Sequence, residues 1–281
     1  MIAPRPRRSA LYMPASNVRA IAKARSLPCD VVIVDLEDAV APDAKGLARE
    51  QAVAAIAEGG FGERELVVRA NALSTPWGED DLAALDTARP DAVLVPKIDS
   101  GSDVLRHVER LGGDVPVWAM IETARSVLRL EDIASTAGLA ALVMGTNDLA
   151  KEMGARLDTE RLPFLGFLSA SVAAARAFGL AVLDGVYNDL EDATGFEAQC
   201  RQAVAFGFDG KTLIHPGQVG PCNAAFSPSA GEVAQARAIR DAFDLPENRD
   251  KGAIRLGGRM VERLHLAQAL RTLAIVEAVG G

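Results

Sequence analysis

The chain has 281 residues, within the span over which an α/β barrel forms one unit, and its 49% hydrophobic and 24% charged residues exclude a disordered chain. A net charge of −8 opposes non-specific attraction to polyanions, so neither nucleic acid nor a membrane is expected as a partner. Cys29, Cys200 and Cys222 are odd in number, widely spaced and free of any CxxC pair, which points to reduced thiols and away from a disulfide framework or a zinc site.

The opening MIAPRPRRSALYMP is basic but lacks the apolar stretch of a secretion signal, and no apolar run is long enough to span a bilayer, so a cytoplasmic protein is expected. From there, short β-rich apolar runs alternate with Ala-rich stretches of helical character. The runs are ALYMP near Leu11, VVIVDLED at 31–38, LVVRAN at 66–71, AVLVPK at 92–97, VPVWAMIET at 115–123, ALVMGTNDL at 141–149, LAVLDGVY at 180–187 and GKTLIHP at 210–216. Eight parallel strands suit a closed (β/α)8 TIM barrel, with an open doubly wound sheet as the alternative. Residues 217–244 read as a helical closing unit, giving a barrel domain over 1–244. A C-terminal extension follows over 245–281, with a turn at KGAIRLGGRMV and a helix from Glu262 to Val279.

Polar residues follow the apolar runs directly: Asp35, Glu37 and Asp38, then Arg69 and Asn71, Lys97, Glu122, Asp148, Asp184 and His215. In an α/β barrel the active site collects at that end of the strands. Glu122 and Asp148 come from neighbouring strands ~4.8 Å apart, close enough to share one cation. Two carboxylates with room for water describe magnesium, whereas the alternative is that each caps the helix after it. Arg69 could grip a substrate carboxylate or carbonyl, or pair internally with Glu37 or Asp38. Strand alternation keeps Asp35, Glu37 and Asp38 from sharing one ion, so they are expected to orient Arg69 or metal-bound water, with helix capping as the alternative for Asp38. Arg8, Tyr12, Arg19 and Lys23 form a basic cluster suited to phosphate, or else a solvated face.

Seven phrases in order, RSALYMP, DVVIVDLEDAV followed by Lys45, VVRAN, VPKI, MIET, GTNDLA and GFDGKTLIHPGQV, resemble the citrate lyase β-subunit-like family within the HpcH/HpaI aldolase superfamily. The resemblance runs from about Arg8 to Phe226. It implies a (β/α)8 barrel, a homo-oligomer such as a trimer or hexamer, and Mg2+ held by Glu122 and Asp148. Arg69 and Glu122 would meet the substrate, and Tyr12, Arg19, Lys23 and the backbone around Ile214 and His215 would line a CoA pocket.

Members that act on malyl-type CoA esters carry a catalytic Asp in a C-terminal GxMIDxP segment, often supplied by a neighbouring subunit, so the extension is expected as a lid. Here GGRMVERLH places Glu262 at that position, which keeps the carboxylate on a longer arm. His265, at the end of the same phrase, is expected as a surface helix residue. The leading expectation is a carbon–carbon lyase that cleaves or forms a 3-hydroxydicarboxylyl-CoA from an acyl-CoA and a small 2-keto acid. The alternatives are a malyl-CoA-type thioesterase or malate-synthase-like enzyme, a citrate lyase β subunit working on an acyl-carrier protein, and a non-catalytic acyl-CoA-binding barrel.

Overall fold

Valine, isoleucine and leucine fill the apolar runs, and β-branched side chains favour the pleated, doubly buried strands of a barrel wall. The computed structural model describes residues 5–280; residues 1–4 and 281 of the expected domains lie outside the described residues. All eight runs form strands: β1 (Ser9–Pro14), β2 (Val31–Asp35), β3 (Glu65–Arg69), β4 (Ala92–Val95), β5 (Val117–Ile121), β6 (Leu139–Met144), β7 (Ala181–Asp184) and β8 (Gly210–Leu213). Each pairs in parallel with the next, and β1 pairs with both β2 and β8, which closes the barrel and excludes the open sheet.

Alternation along the strands sorts side chains into the barrel interior or the helical shell. Ala10, Val31 and Ile33, Val67, Ala92 and Leu94, Trp118 and Met120, Ala141 and Val143, and Leu183 pack as one apolar cluster, with Tyr12 against it. Two residues beyond these lie Asp35, Arg69 and Glu122, so the same files that fill the barrel end in its polar upper layer. At the opposite end Arg7 pairs with Glu65 at 2.6 Å and lies over the Trp118 ring at 5.0 Å.

The described residues form two compact units: Arg7–Ala224, and the segment from Ala225 onward together with Arg5 and Pro6. The helix Ala230–Asp244, expected with the barrel, belongs by its packing to the extension. Its Ala236, Ile239 and Phe243 share a core with Ile254, Val261 and Ala269, because its apolar stripe needs a partner and the extension supplies one. The expected turn in the extension is an antiparallel hairpin of β9 (Ala253–Leu256) and β10 (Arg259–Glu262). Gly257 and Gly258 between them have φ of 57° and 79°, the two left-handed positions of a tight hairpin turn. The helix Arg263–Ala278 follows. All three cysteines are free and buried, and no helix among the described residues is long and apolar enough to cross a membrane.

Candidate active site

β3 delivers Arg69 to the top of the barrel interior, where the residue is 8% exposed and its guanidinium would be costly to leave unpaired. Asp35, opposite it in register on β2, takes it in a fork: Nε donates to Oδ1 at 2.7 Å and Nη2 to Oδ2 at 2.6 Å. Although burial opposes it, Asp35 holds the Arg69 guanidinium well above its ordinary pKa. Tyr12 on β1 lies under the guanidinium, 4.8 Å from the ring centre. The third nitrogen is less committed. Nη1 is 3.8 Å from the Met120 sulfur, 2.8 Å from Glu37 Oε2 and 3.7 Å from the exposed Asp38. Its N–H does not point at Glu37, whose Oε2 is buried without a hydrogen bond. Burial pushes the Glu37 carboxyl up to about 8, an effect that Arg69 only partly opposes.

Arg69 is thus paired internally, with Asp35 as well as with Glu37, the partner the sequence offered, while Nη1 has only the Met120 sulfur as an aligned acceptor. The loop that carries Glu37 is pinned by Lys45, whose Nζ donates to the carbonyls of Leu36 and Glu37 and to Asn71 Oδ1, each at 2.7 Å.

β5 and β6 place the carboxylates. Glu122 is 1% exposed and follows β5, whereas Asp148 stands in the first turn of the helix Thr146–Met153 after β6. Neither caps a helix. Thr123 caps the helix after β5, accepting from the Ser126 amide at 2.9 Å, and the helix after β6 starts at Gly145 without a side-chain cap. Both carboxylates turn instead to one cation: Lys97 Nζ lies 2.8 Å from Asp148 Oδ2 and 3.1 Å from Glu122 Oε1. Lys97 follows β4 with φ of 54°, a left-handed conformation that disfavours lysine, and its backbone N–H donates to Glu122 Oε1 at 2.8 Å. Partial burial opposes the charge on Lys97, but hydrogen bonds to Asp148 and Glu122 raise its pKa. Burial likewise pushes the Glu122 carboxyl up against the pull of Lys97.

Glu122 Oε2 is buried with no hydrogen-bond partner, and the neighbouring carboxylate already shares a cation with Oε1. An orphaned carboxylate oxygen beside a cation-binding pair fits a divalent ion held by two protein ligands, with its remaining positions left to water or substrate. No group of three or more His, Cys, Asp or Glu that could hold a metal occurs among the described residues.

Arg19 and Lys23 lie exposed on the helix Val18–Ala24, and Ile214 and His215 are exposed just after β8. β1 and β8 are neighbours, with Leu11 opposite Leu213, so these segments leave the same end of adjacent strands. Tyr12, expected with them, is instead stacked on Arg69 inside the barrel, because it falls in the inward file of β1.

Asp184, also at a strand end, belongs to neither group. It follows the inward Leu183 by one residue and faces the shell, where Lys211 Nζ and Arg161 Nη1 each reach it at 2.7 Å. Glu262 lies in the second unit as the last residue of β10. Its N–H donates to His265 Nδ1 at 2.9 Å, so His265 closes the start of the last helix. Sequence reasoning missed the bridging role of Lys97, although the VPK phrase between the Arg69 and Glu122 strands was its signal.

The model of the HpcH/HpaI aldolase/citrate lyase family matches residues 8–216. The chain belongs to this family. Among family relatives, a (3S)-malyl-CoA thioesterase of Cereibacter sphaeroides is 45% identical over 274 residues, covering 98% of this chain and 96% of the relative. An L-malyl-CoA/beta-methylmalyl-CoA lyase of the same species is 34% identical, covering 94% and 93%. The solved structure of CitE from Mycobacterium tuberculosis in complex with magnesium, acetoacetate and coenzyme A superposes with a TM-score of 0.81 at 30% identity, covering all of both chains. Family membership and the closed barrel thus agree with the resemblance seen in the seven sequence phrases.

Proposed function

We propose that this chain is a Mg2+-dependent enzyme acting on 3-hydroxydicarboxylyl-CoA thioesters such as malyl-CoA, and that its net reaction is hydrolysis to the hydroxy acid and CoA. The observation that carries the site reading is the Glu122–Asp148 pair around one cation position, with the Nη1 edge of Arg69 in the same inward layer. Hydrolysis, rather than the carbon–carbon cleavage expected from the sequence, is favoured by the 45% identity to a thioesterase over almost the whole chain. Cleavage to an acyl-CoA and a 2-keto acid is the second reading, supported by the 34% identical lyase.

Glu122 and Asp148 would hold the ion. When bound, Mg2+ supplies Lewis-acid stabilisation of negative charge on the substrate's acid half. Arg69, fixed by Asp35 and Tyr12, offers Nη1 to an oxygen that becomes more negative in the transition state, and because it is already oriented it needs no reorganisation there. Arg19 and Lys23 supply charge at the rim for the CoA portion, beside the backbone turn at Ile214 and His215, whose amides are held by Gln218 Oε1 at 3.1 and 3.3 Å. Glu262 is the acid/base group of the extension in this reading.

The test is incubation with Mg2+ and a panel of malyl-type CoA thioesters, reading free thiol and keto acid separately. Free thiol without keto acid supports hydrolysis. Keto acid without free thiol moves the assignment to the lyase reading, and neither product from any thioester refutes the catalytic proposal.

A further inference from the structure

Lys97 stands where the proposed ion would stand. Its Nζ contacts Glu122 Oε1 and Asp148 Oδ2 at 3.1 and 2.8 Å, whereas magnesium takes its oxygen ligands at ~2.0–2.1 Å. The two cations cannot occupy that position together. The side chain is 39% exposed on a flexible four-carbon stem, so the ammonium can swing towards solvent. Its backbone N–H, set by the strained φ of 54°, continues to hold Glu122 Oε1 whichever way the side chain points.

We infer that Lys97 is a built-in counter-cation that neutralises the ligand pair until a divalent ion displaces it, and that this exchange makes metal binding precede binding of the acid. The inference rests on the placement of the ion in the proposed function. With Lys97 alone, the two carboxylates and one ammonium carry one net negative charge, which repels the carboxylate of a keto or hydroxy acid. Once a divalent ion takes the position and the ammonium stays within the reach of its tether, the same group carries one net positive charge. The acid then meets a site of opposite sign.

The test compares wild type with Lys97→Met and Lys97→Arg by calorimetric titration of Mg2+ alone at fixed ionic strength. Removing the competitor should tighten Mg2+ binding roughly three- to tenfold in Lys97→Met, while Lys97→Arg should stay within about twofold of wild type. Pyruvate titrated into the Mg2+-loaded proteins should bind more weakly to Lys97→Met than to wild type.

Damage to the site would weaken the metal, so the sign of the change separates competition from a structural role. Unchanged or weaker Mg2+ binding in Lys97→Met overturns the inference and leaves the ion site standing; no Mg2+ binding by wild type overturns both. If the methionine variant fails to fold on its left-handed backbone, Lys97→Gly accepts that φ and the same outcomes apply.

Discussion

Replacing Glu37 by glutamine isolates one buried titration beside Arg69. The Glu37 side chain is 12% exposed, and burial pushes its carboxyl from 4.5 up to about 8. The folded chain therefore keeps a proton that the unfolded chain releases, so the unfolded state binds fewer protons between these values. Stability is fully present below pH 4.5 and is lost as pH rises through about 8. At ~1.4 kcal/mol per pH unit the upper bound is on the order of 5 kcal/mol; residual solvent contact and the nearby guanidinium reduce the expectation to about 2–3 kcal/mol. Glu37→Gln keeps the shape and removes the proton.

Urea denaturation of both proteins from about pH 5 to about pH 8 should show the variant gaining that amount relative to wild type as pH rises. In assays, ionised Glu37 would neutralise the free edge of Arg69, so kcat/KM of wild type should fall above about pH 8 while the variant holds its activity further into alkali. A stability difference that stays constant across this pH range would refute the reasoning, because it would mean that Glu37 does not titrate within it.

Asp148→Asn removes the charge of a proposed ligand and should weaken Mg2+ at least about tenfold by calorimetry; unchanged affinity would place the ion elsewhere. Arg69→Lys cannot make the fork with Asp35 and should lower kcat/KM by about 10²- to 10³-fold in steady-state assays. Gly145→Ala would bring a methyl to 2.4 Å from Glu122 Cβ and 2.7 Å from its Oε2, so the variant should keep its circular dichroism but lose the Mg2+-induced rise in melting temperature. Glu262→Gln should lower kcat while leaving Mg2+ affinity in the titration unchanged, since it alters the proposed acid/base group and neither proposed metal ligand.

The barrel was legible because eight short runs, several of them apolar on both faces, alternate with helical stretches, and all but the first lead into a polar residue, as burial between a barrel interior and a helical shell requires. Glu122 and Asp148 were legible as a pair for a simpler reason: consecutive strands of a parallel barrel are neighbours, so adjacency in sequence becomes adjacency in space. Capping fits the sequence equally well, because both residues sit where helices begin. Thr123 decides it for Glu122, since one residue further along a better-placed hydroxyl takes the amide and leaves the carboxylate to Lys97. The tail is less legible. The helix Ala230–Asp244 has one apolar stripe, and a stripe in sequence does not say whether a barrel or a hairpin will cover it.

Asp184 shows what strand-end position cannot decide by itself. Like Arg69 and Glu122, it is a buried charge at the end of an apolar run, yet alternation shifts it one residue out of the inward file and into the shell. There Lys211 and Arg161 saturate it, and these paired charges hold its pKa down despite complete burial. A charge that is fully matched in this way is a structural tie, because a ligand would have to break bonds already made. Arg69 and Glu122 differ: Nη1 lies 2.8 Å from Glu37 Oε2 without an aligned hydrogen bond to it, and Glu122 Oε2 lacks a donor. In the proposed function, incomplete pairing in the polar upper layer, more than strand-end position or burial, is therefore what separates Arg69 and Glu122 from Asp184.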